Sequence, residues 1–373
     1  MNDAAPQAGD ATARAQEFLC HACGARMEFD AAKSCMACAF CGATRAVGEG
    51  DVERTVVEYD LEHGLAASAK RGYGVPVRRV SCGQCGAVVS YGENETSRGC
   101  DFCGSLQVVV QEDSQKPIQP ESVVPFHIDE KTARTKFSSW LGSMWLRPSN
   151  LQKLASVSEM KGMYVPYWTF DADVHSDWTA YAGYYYYVTE TYTTRDDKGR
   201  TVQRQRQVRK VRWKPAWGSR EDDYDDVLVC ASKGLPPPMT QKLEPFDTLA
   251  LKAYDPSYLA GWRAEEYSVD LNAGWRTAVA RMEQSQRERC SGDVPGDTQR
   301  DLHVTNRFSG EKFKHVLLPI WIAVYRYQDK PFQFLVNGQT GEVTGHAPWS
   351  VLKIALLCLA IGSVVLIIAL SQR

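Results

Sequence analysis

At 373 residues the chain is long enough for two or three domains, and 43 basic against 45 acidic residues leave a net charge of -2. That balance excludes a global electrostatic attraction to nucleic acid, so partners have to be argued from local features. Residues 1–16 are Ala-rich and polar, without the apolar core of a signal peptide or the basic bias of a transit peptide, and are expected to form a disordered tail.

Two cysteine quartets follow: Cys20, Cys23, Cys38 and Cys41, then Cys82, Cys85, Cys100 and Cys103, each spaced C-x2-C-x14-C-x2-C and offset by 62 residues. Two residues between thiolates let one tight turn aim both sulfurs at a single tetrahedral ion, the ligand spacing of a structural zinc site. Each pair is followed by a glycine (Gly24, Gly42, Gly86, Gly104), which can take the positive φ such a turn needs. Cys35 also forms a C-x2-C with Cys38, but the repeat maps it onto Ser97, so it is read as a spare thiol. Iron, which thiolates also suit, and disulfides are the competing readings; disulfides fit poorly with a chain lacking an export signal. The expected layout is ribbon one at 17–47, a linker with a short helix around 61–70 at 48–77, and ribbon two at 78–110. Units of this size are too small to fold on an apolar core alone, so metal has to supply most of their folding free energy, and loss of one cysteine is expected to unfold one ribbon.

A polar linker at 111–122 leads to an α+β domain expected over 123–347, built on an antiparallel sheet. Asp129 reads as the N-cap of a helix whose Ala133, Phe137, Trp140, Leu141, Met144 and Trp145 recur at helical spacing until Arg147 and Pro148. Strands are expected at 163–174 and 184–193, then a turn at 196–199 and a returning strand at 201–213. A helical stretch within 249–289 is followed by strands at 315–327, 332–336 and 342–345.

Asp171, Asp173 and His175 alternate along one strand face and could in principle bind a third metal, although D-x-D-x-H is more often a solvated face with Phe170 and Ala172 turned inward. The returning strand carries Arg200, Arg204, Arg206, Arg209, Lys210, Arg212 and Lys214. This run reads first as a solvated strand balanced by the acidic stretch 221–226. Its functional reading is contact with phosphate, an anionic membrane surface being preferred to nucleic acid. Tyr184 to Tyr187 are expected mainly to pack, although aromatics in such a cluster can also stack bases. Cys230, Cys290 and Cys358 read as small apolar groups. No phosphate-loop, G-x-S-x-G or H-E-x-x-H motif occurs, so no catalytic residue is assigned and no enzyme is expected.

The stretch 354–370 is apolar and free of charge, spanning roughly 25 Å as a helix, with Trp349 and Lys353 placed as interfacial anchors. A transmembrane tail anchor is expected at 348–371. Thiolate ligands persist only in a reducing compartment, so the bulk of the chain is expected on the cytoplasmic side of the membrane.

The segments CHACGARMEFD, CAFCG, GMYVPYWTFDAD, YLAGWRAEEY, HVLLPIWIAVYRY and FLVNGQTGEVTGHAPWS together resemble a bacterial family of membrane-anchored proteins with a transcription-factor-IIB-type double zinc ribbon. Its members often carry the label primosomal protein N-prime or superfamily II helicase, which follows the ribbon alone. The resemblance implies Zn2+ at the eight cysteines, and protein partners of the SPFH (flotillin-like) or phage-shock type in a membrane-stress system. The resemblance also implies the inner membrane of a bacterium, and the basic strand around 198–214 departs from the form the family takes in Bacillus. The expected function is a non-enzymatic adaptor recruiting proteins to the membrane, held there by lipid contacts of the C-terminal helix and taking no small-molecule substrate. The alternative is a membrane-tethered nucleic-acid-binding protein.

Overall fold

The computed structural model describes residues 18–47, 56–64, 77–92, 99–111, 118–149, 151, 159–195, 199–327 and 330–371. The expected tail at 1–16, most of the two linkers, the expected helix beyond residue 64 and the turn residues 196–198 lie outside them.

The elements run in chain order β1 (Met27–Asp30), β2 (Cys35–Cys38), β3 (Thr44–Arg45), β4 (Tyr59–Asp60), α1 (Leu61–Gly64), β5 (Val77–Cys82), β6 (Val88–Gly92), β7 (Val108–Gln111) and β8 (Ser122–Val123). Then come α2 (Glu130–Gly142), β9 (Met160–Arg195), β10 (Thr201–Cys230), α3 (Pro237–Leu243), β11 (Lys252–Ala253), β12 (Arg263–Glu266), α4 (Leu271–Asp293), β13 (Thr298–Tyr327), β14 (Lys330–Asn337), β15 (Val343–Gly345) and α5 (Val351–Ser371). The class is α+β, as expected. Strands β1 to β3 form a small antiparallel sheet, and the others join a larger one ordered β11-β8-β13-β9-β12-β6-β5-β7, with β10 beside β9 and with β14 and β4 beside β13. The larger sheet is mixed where an antiparallel one was expected, because β12 pairs parallel with β9 and β8 parallel with β13.

Two expected strands, 163–174 and 184–193, are one continuous β9; the alternation of small and aromatic residues through Ala180, Ala182 and Gly183 keeps the strand going where a break was expected. Helix α2 starts where expected, the Asp129 carboxylate accepting from the Thr132 amide at 2.8 Å. It ends at Gly142, leaving Trp145 exposed.

The chain divides into two compact units. One comprises Met1–Thr169, Leu228–Gly274 and Phe313–Arg373; the other comprises Phe170–Val227 and Trp275–Lys312. In the first unit the sheet is buried on both faces, and the period of two is visible in the packing. Leu317, Trp321, Ala323 and Tyr325 of β13 enter the layer that α2 covers with Ala133, Phe137 and Leu141. The intervening Val316, Leu318, Ile320 and Ile322 enter the opposite layer with Leu243 of α3. In the first layer Phe137 stacks on Phe334 at 3.5 Å and Trp262 stacks on Phe126 at 4.2 Å. Gly162 is required here, since a Cβ would stand 2.3 Å from the Trp262 ring.

In the second unit α4 lays Cys290 against Trp178 and Ala180 of β9. An ion-pair cluster ties helix to strand: Asp222 of β10 accepts from Arg220 at 2.5 Å and from Arg289 at 2.6 Å, which holds its carboxyl well below the usual range.

Helix α5 contains a 20-residue span, Val351–Leu370, of mean hydropathy 2.8 with none of it buried. It is long and apolar enough to cross a membrane, at about 1.5 Å per residue. Its base is tied to the loop after α2: Arg147 lies 3.7 Å over the Trp349 ring and donates to the Ala347 carbonyl, and Lys353 Nζ donates to the Arg147 carbonyl at 2.8 Å.

Candidate metal centres

Four turns of one design build the two sites. In each, the first cysteine's carbonyl accepts from the amide of the following glycine: Gly24 to Cys20 at 2.9 Å, Gly42 to Cys38 at 3.0 Å, Gly86 to Cys82 at 3.0 Å and Gly104 to Cys100 at 2.9 Å. The glycines sit at φ between 71° and 77°, a region that a Cβ disfavours. The first cysteine's own amide closes the loop onto the residue after the glycine, as in Cys20 to Ala25 at 2.7 Å. Each turn thereby presents two sulfurs on one side.

The turns meet in pairs. Cys20 and Cys41 Sγ lie 3.5 Å apart, as do Cys23 and Cys38; the corresponding pairs in the second site, Cys82 with Cys103 and Cys85 with Cys100, lie at 3.6 Å. Within each quartet the sulfurs are all within 4.8 Å of one another. A disulfide needs about 2.05 Å, whereas a tetrahedral ion bound at about 2.3 Å places its sulfurs about 3.8 Å apart. The donor set and spacing therefore fit one tetrahedral thiophilic ion per quartet. Cys35 lies on β2 opposite Asp30 and belongs to neither cluster.

Electrostatics favours thiolates at the first positions of three of the four turns, Cys20, Cys38 and Cys82, whereas the contact with Cys85 and burial push the Cys100 thiol up. The amides of Ala22 and Cys23 lower the Cys20 thiol, and those of Cys41 and Phe40 hold Cys38 down at about 6. Without an ion the partners compensate: although the Ala25 amide pulls Cys23 down, protons shared with Cys38 and Cys41 outweigh it and push that thiol up to about 12. A bound cation removes this competition by taking all four as thiolates.

The two sites are embedded differently. The first has its own small core of Met27, Phe29 and Met36, and meets the body around Tyr258, Ala260 and Trp262. There the Phe29 amide donates to the Ala260 carbonyl at 2.9 Å, the Trp262 indole donates to the Phe29 carbonyl at 2.8 Å, and the Phe29 ring meets Tyr258 edge-on at 5.2 Å. Gly261, at φ 80°, lies so close to Glu28 that a Cβ would come within 2.8 Å of it. The YLAGW segment is thus the seat of the first ribbon, a role its composition did not disclose.

The second site is part of the sheet itself. Its turns join β5, β6 and β7, and Cys82, Cys100 and Phe102 belong to the same apolar layer as Val165 and Ile320. Asp101, its side chain 1% exposed, is clamped by Lys161 at 2.7 Å and Arg263 at 3.1 Å. The neighbouring strand is tied on by Arg79, which pairs with Glu266 at 2.6 Å.

The chain is similar to the uncharacterized protein YdjG of Bacillus subtilis (strain 168). The two are 27% identical over 248 residues, 64% of this chain and 66% of that protein. No family model and no solved structure matches the chain.

Asp171, Asp173 and His175 are not brought to a common point. Asp171 accepts from the Asp226 amide at 2.7 Å, whereas His175 faces Glu221 at 3.2 Å and Asp177 at 3.3 Å. Phe170, Ala172 and Val174 are buried, the pattern of a half-solvated strand. Among the other cysteines, Cys290 is buried, Cys230 half-buried and Cys358 exposed on α5.

Proposed function

We propose that this chain is a non-enzymatic, membrane-anchored adaptor in which two structural zinc ions hold a rigid surface for a partner protein. The observation that carries it is a difference between the two halves of the repeat. Phe40 and Phe102 occupy the same position, immediately before the last cysteine of each quartet. Phe102 is fully buried, seated on Gly234 so closely that a Cβ there would come within 2.8 Å of the ring, while Phe40 is 85% exposed. The second knuckle thus uses its phenylalanine to dock on the chain's own body, and the first presents the same group to solvent. An exposed aromatic on a metal-stiffened turn, flanked by the exposed Cys23 and Cys41, has the character of a binding anchor.

Four thiolates close the coordination shell of zinc and leave no position for a substrate water, which favours a structural role for both ions. In this reading helix α5 is the membrane anchor, and thiolate ligands, which persist in a reducing compartment, support a position for the ribbons at the cytoplasmic face of a bacterial inner membrane. The partner sought is a protein with an apolar notch floored by a small residue, as Gly234 provides for Phe102. Flotillin-like SPFH and phage-shock-type proteins, implied by the family resemblance, are the first candidates.

The test is a crosslinked pull-down of the full chain from its native membrane, comparing wild type with Phe40→Asp and treating parallel samples with nuclease. Capture of a protein that survives nuclease and disappears with Phe40→Asp supports the adaptor. Capture that depends on nucleic acid replaces it with the nucleic-acid reading.

A further inference from the structure

Strands β9 and β10 pair, and their outer parts carry nine basic against three acidic residues between positions 181 and 214, a net charge of +6 in a chain whose total is -2. Contacts across the pair run in opposite directions along the two strands: Lys214 lies over the Tyr184 ring at 5.4 Å, Arg212 over Tyr186 at 5.5 Å and Arg206 over Tyr192 at 5.4 Å. This is an antiparallel hairpin, and side-chain alternation puts all six residues on one face.

The opposite face is covered near the root, around Gly183 and Trp213; further out it is exposed, with Tyr187 at 63%, but among the described residues from 181 to 214 it carries only Arg195 and Arg209 as cations. Gly183 faces Thr298 and Trp213 with no room for a Cβ, the Asp297 amide donates to the Gly183 carbonyl at 2.8 Å, and Arg300 lies 4.5 Å over the Trp213 ring. Nearer the root, α4 covers the tyrosine face through Cys290 against Trp178 and Ala180. From Tyr184 outward that face is open, with Tyr184 at 37% and Tyr186 and Tyr192 at 39% exposure. Among the described residues its one acid, Glu190, is taken up by Lys210 and Arg206, both at 3.3 Å, which lowers its carboxyl from the usual value. Exposed pairs of this kind leave the cationic field largely intact.

We propose that this open face of the β9–β10 hairpin binds the anionic headgroups of phospholipids. Phosphate is the complement of an array of arginine and lysine, and tyrosines between the cations suit the interface, where an apolar ring and a polar hydroxyl are both satisfied. Single-stranded nucleic acid would share the charge complementarity, but base stacking needs open ring faces, and the rings here are engaged by the chain's own cations. The apolar helix α5 on the same chain adds to the lipid reading, because a tethered basic surface meets headgroups at high effective concentration. The proposal rests on the membrane-anchoring part of the function proposed above and is independent of its partner-binding part.

The experiment is hydrogen exchange by mass spectrometry on the full chain, in nanodiscs of phosphatidylcholine alone and in nanodiscs with part of that lipid replaced by phosphatidylglycerol. The expected result is that peptides covering 184–195 and 199–214 exchange several-fold more slowly on the anionic discs. That protection should disappear when salt is raised well above physiological strength, and in Arg204→Gln/Arg212→Gln/Lys214→Gln. The variant's exchange on the neutral discs serves as its folding control. If that control fails, Arg204→Lys/Arg212→Lys, which keeps the charge, should retain the protection. Equal exchange of wild type on both discs overturns the proposal, as does protection by an oligonucleotide without any by phosphatidylglycerol. Failure of the chain to enter either disc removes the anchor and the proposal together, whereas entry without lipid-specific protection removes the proposal alone.

Discussion

Truncating the two repeat phenylalanines one at a time, Phe102→Ala and Phe40→Ala, tests whether the ribbons divide the work between internal packing and external docking. Phe102 is 0% exposed, with Gly234 against its ring and Ala87 in the same apolar layer. Cutting a buried phenylalanine to alanine loses the transfer free energy of the ring and leaves a cavity, together about 3 to 5 kcal/mol. Phe40, 85% exposed, has little to lose, and its truncation should stay within about 0.5 kcal/mol. A gap of about 3 kcal/mol is on the order of a hundredfold in the unfolding equilibrium. The measurement is urea unfolding of the full chain in mild detergent, with zinc present, followed by tryptophan fluorescence, to which the buried Trp168 and Trp321 contribute. Phe102→Ala should lower the midpoint strongly and Phe40→Ala should leave it near wild type while abolishing partner capture. Equal midpoints for the two variants would refute the reasoning, because they would mean that the second knuckle does not support the sheet in the way described.

Metal loss should be equally asymmetric. Cys23→Ser, at an exposed ligand of the first site, is expected to reduce bound zinc from two ions per chain to one while the protease resistance of the body persists. Cys100→Ser, within the buried layer, should leave no folded protein to assay, since a structural zinc site is worth an apparent ~10 to 16 kcal/mol, the size of a whole domain's stability. Asp101→Ala removes a buried carboxylate from between Lys161 and Arg263 and should cost about 3 to 5 kcal/mol by the same urea assay; a loss below about 1 kcal/mol would show that the clamp is not formed. His315 lies buried between Trp168 and Tyr267, with Nδ1 3.0 Å from the Ile118 carbonyl, and burial depresses its imidazole to about 4. Its folded value is below the unfolded one of about 6.5, so its contribution is complete above that pH and is lost as pH falls towards 4, at most about 3 kcal/mol. The slope of stability between these limits should be shallower in His315→Gln than in wild type, and identical slopes would rule the residue out as an acid sensor.

The two cysteine clusters were legible in the sequence because a paired-cysteine turn is a local device: two sulfurs, a tight loop and a left-handed glycine lie within five residues, so no tertiary information is needed to recognise it. The apolar C-terminal helix was legible for a similar reason, an unbroken apolar run being its own evidence. What the ribbons are fastened to was not legible. No spacing marks Trp262, yet it stacks on Phe126 and gives its indole hydrogen to Phe29, 233 residues earlier. Nor does any local pattern mark Asp101, since only the return of β9 and β12 supplies Lys161 and Arg263 around it. The expectation that each ribbon would unfold separately came from treating both as isolated units, which the first resembles and the second, embedded in β5 to β7, does not.

Identical spacing across the repeat therefore conceals unequal roles, and the residue between the last two cysteines shows how. At that point in the first knuckle stand Ala39 and Phe40, and in the second Asp101 and Phe102. An aspartate there demands partners, and the body supplies two cations, so the second knuckle is drawn against the sheet and its phenylalanine is buried with it. An alanine demands nothing, so among the described residues the first ribbon is fastened at the far end of its hairpin, by Phe29 on the YLAGW seat, and its phenylalanine is left facing outward. Ala39→Asp is not expected to convert one role into the other, because no described residue is seen to clamp the first knuckle as Lys161 and Arg263 clamp Asp101. It would place an unpaired carboxylate beside Phe40 and should weaken an apolar partner contact while leaving zinc content and the urea midpoint unchanged. Retention of partner capture in Ala39→Asp, with Phe40 still required, would show that the partner meets Phe40 from the side away from that residue and would narrow the docking surface to the exposed flank at Cys41.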